Sequence, residues 1–217
     1  MDRTSSNSQN PDTSDDSRVN SKVDRDAPEP LKALEEADIA VADKMISYRD
    51  TKIVKALGTA SEMADQPPLL SLCVGTLALG AILRNPRMMR AGGRMIASHL
   101  VATGIKAAIK KSVDRTRPSL LHDEQRYELD EGERDEGDYN SFPSGHTAGA
   151  VAVAMALGRE YPRLAWPARA GAAAIALIQI PRCAHYPTDI AAGAALGLLA
   201  EGVVHGATAA TIRSSKV

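Results

Sequence analysis

A chain of 217 residues is long enough for one domain with a tail, and a formal net charge of −1 gives it no global excess with which to hold nucleic acid. Only 3% of residues are aromatic while 44% are hydrophobic, so small aliphatic side chains must fill the interior, as in helices packed closely through Ala and Gly. Two cysteines, Cys73 and Cys183, support neither a disulfide framework nor a metal cluster.

Residues 1–30 are rich in Ser, Asn, Asp and Pro and have too little apolar surface to offset ordering, which predicts a disordered polar tail. They lack the basic start and apolar stretch of a signal peptide. Residues 31–60 predict one amphipathic helix, with Leu34, Ala37, Val41, Met45 and Tyr48 at helical spacing. It carries too many charges to span a bilayer, which leaves an interfacial position or the outside of a bundle. Residues 61–217 form the main helical domain. The most apolar run, 69–83, is bounded by Pro67-Pro68 and by Arg84-Asn85-Pro86-Arg87. It is short against the ~20 residues of a typical spanning helix. Further helices are predicted over 91–111, from about 144 to 160, and over 168–180 and 188–212. The polar stretch 112–142, densely acidic between 123 and 138, predicts a solvated loop.

The basic residues suggest a topology. Arg84, Arg87, Arg90 and Arg94 are placed in one inter-helix turn, Arg159, Arg163 and Arg169 in another, and Arg213 and Lys216 after the last helix. In a membrane all three clusters would lie on one side, the cytoplasmic one by the positive-inside rule. Lys110, His146 and His185 would then meet at the opposite face. The tail would have to begin on that outer side without a signal, unless 31–60 lies in the interface.

Three short segments carry chemistry. Pro143-Ser144-Gly145-His146 opens an apolar helical run. Ser caps helices, and a free helix N-terminus favours an anion, although an ordinary cap fits equally well. His185 and Asp189 stand four apart at another helix start. Asp189 can fix one imidazole nitrogen and leave the other to attack, or simply cap the helix. Lys110 and Arg117 supply a point charge and a planar fork for phosphate oxygens, or else a solvated helix end. His99 and His205 read as packed histidines in apolar helices, and His122 as a loop residue.

Together and in this order, Lys110 to Arg117-Pro118, Pro143 to His146, and His185 with Asp189 resemble the type 2 phosphatidic acid phosphatase (PAP2) family of lipid phosphate phosphatases and haloperoxidases, over roughly 69–205. The resemblance implies an all-α, membrane-embedded bundle of about five to six helices. It implies a metal-independent phosphatase with no cofactor, acting on a lipid phosphate or diphosphate such as phosphatidic acid, phosphatidylglycerol phosphate or undecaprenyl diphosphate. By the same resemblance His185 is the nucleophile, Asp189 orients it and His146 is the general acid. Lys110, Arg117, Ser144 and Gly145 hold the phosphate oxygens. The implied setting is the bacterial inner membrane, with the site on the outer, periplasmic face; the oligomeric state stays open.

One position departs from the pattern. Ile178-Gln179 stands where the family has Ser-Arg. Arg182, one turn closer to His185, is the candidate replacement as phosphate ligand; in a helix the offset is about 4–5 Å. A weakened or inactive PAP2-like protein that binds lipid phosphate is therefore the alternative. A soluble acid phosphatase or a vanadate haloperoxidase on the same scaffold is a third reading.

Overall fold

Helices make nearly all of the architecture in the computed structural model, which describes residues 28–124, 126–132 and 137–214, with side chains to 211. Five long helices form the bundle: α3 (Gln66–Ile82), α4 (Pro86–Lys110), α6 (Gly145–Glu160), α7 (Pro162–Ile178) and α8 (Pro187–Ser214). Two helices precede them, α1 (Glu29–Met45) and α2 (Lys52–Ser61), and a short one, α5 (Pro118–Asp123), lies in the polar stretch. The all-α bundle expected from the sequence is the one observed. The tail reading of 1–30 falls almost wholly outside the described residues.

The segment 31–60 is two helices, not one. A 3-10 turn at Ile46–Tyr48 ends the first, and Thr51 caps the second, its Oγ1 accepting from Val54 N at 3.4 Å. The periodicity runs on through Tyr48, but the Asp50-Thr51 pair offers the backbone a local alternative to helix. Two other helices start earlier than expected. Asn85 caps α4 by accepting from Arg87 N and Met88 N, both at 3.1 Å, with Pro86 at the first position. Arg87, Arg90 and Arg94 therefore lie on α4 and not in a turn. Pro162 likewise opens α7, which continues through Pro167, so Arg163 and Arg169 are helical too. Arg213 falls within α8, and Lys216 lies outside the described residues. The polar loop also holds a two-stranded antiparallel ribbon, β1 (Asp114–Arg115) against β2 (Leu129–Asp130).

α6 is the central helix, packed on α4, α7 and α8, while α4 also meets α3 and α8. Alanine is the commonest core residue: Ala102, Ala148, Ala152 and Ala200 pack with Leu196 between α4, α6 and α8, and Ala150, Ala154 and Ala172 between α6 and α7. Small residues let the backbones approach. A Cβ on Gly193 of α8 would stand 2.6 Å from the Ser144 carbonyl oxygen, and one on Gly92 of α4 only 2.5 Å from Leu77 N.

Large apolar side chains point outward along the same helices: Leu72, Leu79 and Ile82 on α3, Trp166 and Leu177 on α7, Leu198, Leu199 and Val203 on α8. Such a belt is what a bilayer would cover. Within α8, Pro187–Thr211 is long and apolar enough to cross a membrane. At 1.5 Å per residue the 17 residues of α3 reach about 25 Å.

The bundle has two unlike ends. At one, Glu160 takes Arg90 at 3.2 Å and Arg94 at 3.1 Å, and Arg159 binds Glu201 at 3.0 Å. Arg87 stacks 4.6 Å from the Tyr161 ring centroid. The starts of α6 and α8 and the end of α4 meet at the other.

Candidate active site

A cavity of 130 Å³ opens between the ends of α3, α4, α6 and the loop before α8, and Lys110, Arg117, Gly145, His146 and His185 all line it. Five of the eight residues expected to form a site thus face one space. Asp189 lies directly behind His185, Ser144 sits beneath Gly145, and Arg182 is turned elsewhere.

His185 is 3% exposed, and its Nδ1 donates to the Ser141 carbonyl oxygen at 2.8 Å. This bond fixes the tautomer and leaves Nε2 as the nitrogen available for attack. Asp189 Oδ2 stands 3.7 Å from the same Nδ1, too long for a hydrogen bond but close enough to act through its charge. The Ser141 carbonyl thus shares the Nδ1 side of the ring with Asp189, the residue expected to orient it. Ser141 joins the two, because its hydroxyl donates to Asp189 Oδ2 at 2.5 Å. Burial pushes the His185 imidazole below its ordinary range; the charge of Asp189 opposes that, and Arg117 and Lys110 add to it.

Asp189 is fully buried and fully bonded. It accepts from Arg115 Nη1 at 2.7 Å and from Tyr186 N at 2.8 Å, besides Ser141. Arg115 in turn reaches Asp38 of α1 through Nη2 at 2.8 Å and Thr188 Oγ1 through Nη1 at 2.8 Å, with its guanidinium 4.2 Å from the Tyr186 ring centroid. Asp38 also accepts from the Thr188 amide at 3.1 Å and from its hydroxyl. The first helix is thereby bolted to the start of α8. Sequence reasoning missed this chain. Asp38 reads as one acid among several on an amphipathic face, and Arg115 is overshadowed by Arg117 two residues on.

Ser144 caps α6, accepting from Thr147 N at 3.4 Å and Thr147 Oγ1 at 3.0 Å. The amides of Gly145 and His146 are among the free donors of that helix start, which is an anion-binding arrangement. Arg117 is held by Nε to the Gly137 carbonyl at 2.8 Å, and Lys110 Nζ donates to the Asn140 carbonyl. His146 Nε2 lies 3.6 Å from Glu62 Oε2, on the turn between α2 and α3.

Glu62 also receives Arg182, whose Nη1 donates to Ser61 Oγ at 2.8 Å. Arg182 packs over Gly58, where a Cβ would meet its Nε at 2.9 Å, and it lines a separate groove beside α2. Gln179 is 1% exposed and donates to Ser61 Oγ at 3.2 Å and to the Ile175 carbonyl at 3.0 Å. Neither residue faces the cavity. A cation not foreseen does: Lys106, one helical turn before Lys110 on the same face of α4.

The model of the PAP2 superfamily matches residues 91–212. Among solved structures the fold is similar to Aquifex aeolicus LpxE, with TM-score 0.59 and 19% identity over 77% of this chain and 94% of that one. It is also similar to a transmembrane PAP2 type phosphatidylglycerolphosphate phosphatase from Bacillus subtilis, with TM-score 0.56 and 18% identity over 87% and 89% of the two chains. No curated relative matches the sequence.

Proposed function

The chain belongs to the PAP2 superfamily and is a phosphatase, and from that premise we propose that it hydrolyses a lipid phosphate or diphosphate through a phosphohistidine on His185, without a metal. The observation that carries this reading is the convergence of His185, His146, Lys110, Arg117 and Gly145 on one cavity. His185 Nε2 attacks phosphorus while Nδ1 stays bonded to the Ser141 carbonyl. Asp189, at 3.7 Å, offsets the positive charge that the ring gains. Lys110, Arg117 and the Gly145 amide hold the phosphoryl oxygens as charge builds, with the Ser144 hydroxyl capping the helix behind them. His146 gives a proton to the leaving oxygen. Water then cleaves the phosphorus–nitrogen bond.

The setting proposed is the bacterial inner membrane with the cavity on the periplasmic face. The outward apolar side chains and the arginines gathered at the far end of the bundle support it. The phosphatidylglycerolphosphate phosphatase of similar fold is in keeping with a lipid phosphate substrate.

Phosphate release by detergent-purified protein in EDTA, from phosphatidic acid and from farnesyl diphosphate, beside His185→Ala, tests the reading. Release that requires His185 and survives EDTA is expected. Release that EDTA abolishes, or that His185→Ala leaves intact, would overturn it. The competing reading, a PAP2-like membrane protein that binds lipid phosphate without turnover, draws on Gln179, which brings no charge to the cavity. Activity appearing only in Gln179→Arg would favour it.

A further inference from the structure

The cavity continues past the residues that would hold the transferred phosphate. Lys106 lies one helical turn inward from Lys110 on α4, and His99 two further turns in. Both side chains lie against successive turns of α6. A Cβ on Gly145 would stand 3.2 Å from Lys106 Nζ, and a Cβ on Gly149 would stand 3.2 Å from His99 Nδ1. The two glycines leave the room that these side chains occupy. His99 is 3% exposed, and neither of its ring nitrogens has a partner. A buried polar ring left unbonded is costly and points to a ligand.

We propose that Lys106 and His99 form a second anion subsite for the leaving group, and that this group is itself a phosphate. The proposal rests on the phosphatase reading above and narrows it: the substrate class is a lipid diphosphate. Lys110 and Arg117 supply two positive charges at the end of the cavity beside His185. Lys106 adds a third on the inward side, where a neutral glycerol or sugar would leave it unmatched. In the reaction His185 Nε2 bonds to the terminal phosphorus and the bond from that phosphorus to the bridging oxygen breaks. The lipid monophosphate departs with the electron pair. Water then attacks the phosphohistidine, the phosphorus–nitrogen bond breaks, and orthophosphate is released. Negative charge grows on the bridging oxygen, and Lys106 is placed to stabilise it.

The test is calorimetric titration of the detergent-purified full chain with inorganic pyrophosphate and with orthophosphate, beside Lys106→Met, Lys106→Arg and His99→Leu. Pyrophosphate is expected to bind about tenfold more tightly than orthophosphate, the scale of one charge-assisted contact. Lys106→Met and His99→Leu should each cost about tenfold more on pyrophosphate than on orthophosphate, and Lys106→Arg should recover most of that difference. Equal losses on both anions would overturn the proposal and make Lys106 a ligand of the transferred phosphate, standing in for the arginine absent at Gln179. Absence of a pyrophosphate preference in the wild type would overturn it as well. Turnover keeps the two readings apart. Lack of His185-dependent release from either farnesyl diphosphate or phosphatidic acid sinks the phosphatase reading, whereas release from both at a ratio that Lys106→Met does not change sinks only the subsite.

Discussion

Arg115 Nη1 donates to Asp189 Oδ1 at 2.7 Å, with both side chains out of solvent, and the other arm of the same guanidinium holds Asp38. One buried cation thus serves two buried carboxylates, one from the first helix and one beside the proposed nucleophile. Removing it leaves both acids hydrogen-bonded but without a counter-charge. Arg115→Met is expected to cost about 3–5 kcal/mol, as breaking a buried pair does. Arg115→Lys keeps the charge but cannot span both acids with a planar fork, so it should recover only part. Denaturant unfolding in detergent measures this, and a change below about 1 kcal/mol for Arg115→Met would contradict the network's role.

His185 sets a pH dependence with a definite sign. Burial, reinforced by Arg117 and Lys110, lowers its pKa from the ordinary value of about 6.5. The neutral ring is the nucleophile, so its acid limb in kcat/KM is expected below pH ~6.5. The unfolded chain binds the proton more readily than the folded one. The stability contribution is therefore complete above pH ~6.5 and is lost as the pH falls toward the folded value. His185→Gln should flatten that fall. The idea fails if wild type and His185→Gln lose stability in parallel from pH 7 to 5.

Much of this site is legible in the sequence because its chemistry is written at fixed spacings. Lys110 to Arg117, Ser144 to His146, and His185 to Asp189 lie at helix ends, where local rules of capping and termination operate. Their meeting in one cavity follows from helices that alternate in direction. Tertiary pairing is what spacing cannot show. Asp38 and Arg115 stand 77 residues apart and meet only because α1 folds back over α8. The hydrogen bond to His185 Nδ1 comes from a main-chain carbonyl, which carries no residue signature. Lys106 was concealed by its neighbour, since a lysine one turn before a helix end reads as a cation on the dipole.

Arg182 gives a sharper test of how the lost family arginine is managed. It is committed to Glu62 and Ser61, outside the cavity, with its side chain 26% exposed. Arg182→Ala is expected to lower kcat/KM by no more than about threefold, a surface-pair effect of under ~1 kcal/mol. Arg117→Ala, which removes a donor facing the cavity, should lower it by roughly 10²–10³. Comparable losses in the two variants would show that Arg182 swings onto the phosphate during turnover and replaces the missing arginine directly.

Two glycines of α8 separate packing from helix propensity. At Gly193 a Cβ would stand 2.6 Å from the Ser144 carbonyl oxygen, whereas at Gly206 it would meet nothing within 4 Å. Both sit in the interior of one helix, so Ala should gain up to about 1 kcal/mol of helix propensity at either. At Gly193 that gain is outweighed, because backbone must move: overpacking of this kind costs about 1–3 kcal/mol. The displaced backbone is the cap of α6, so Gly193→Ala should also lower activity through the amides of Gly145 and His146. Gly206→Ala should be neutral or stabilising with activity unchanged. Thermal unfolding and phosphate release on the pair decide it; Gly193→Ala behaving like Gly206→Ala would mean that α8 can shift without disturbing the phosphate site.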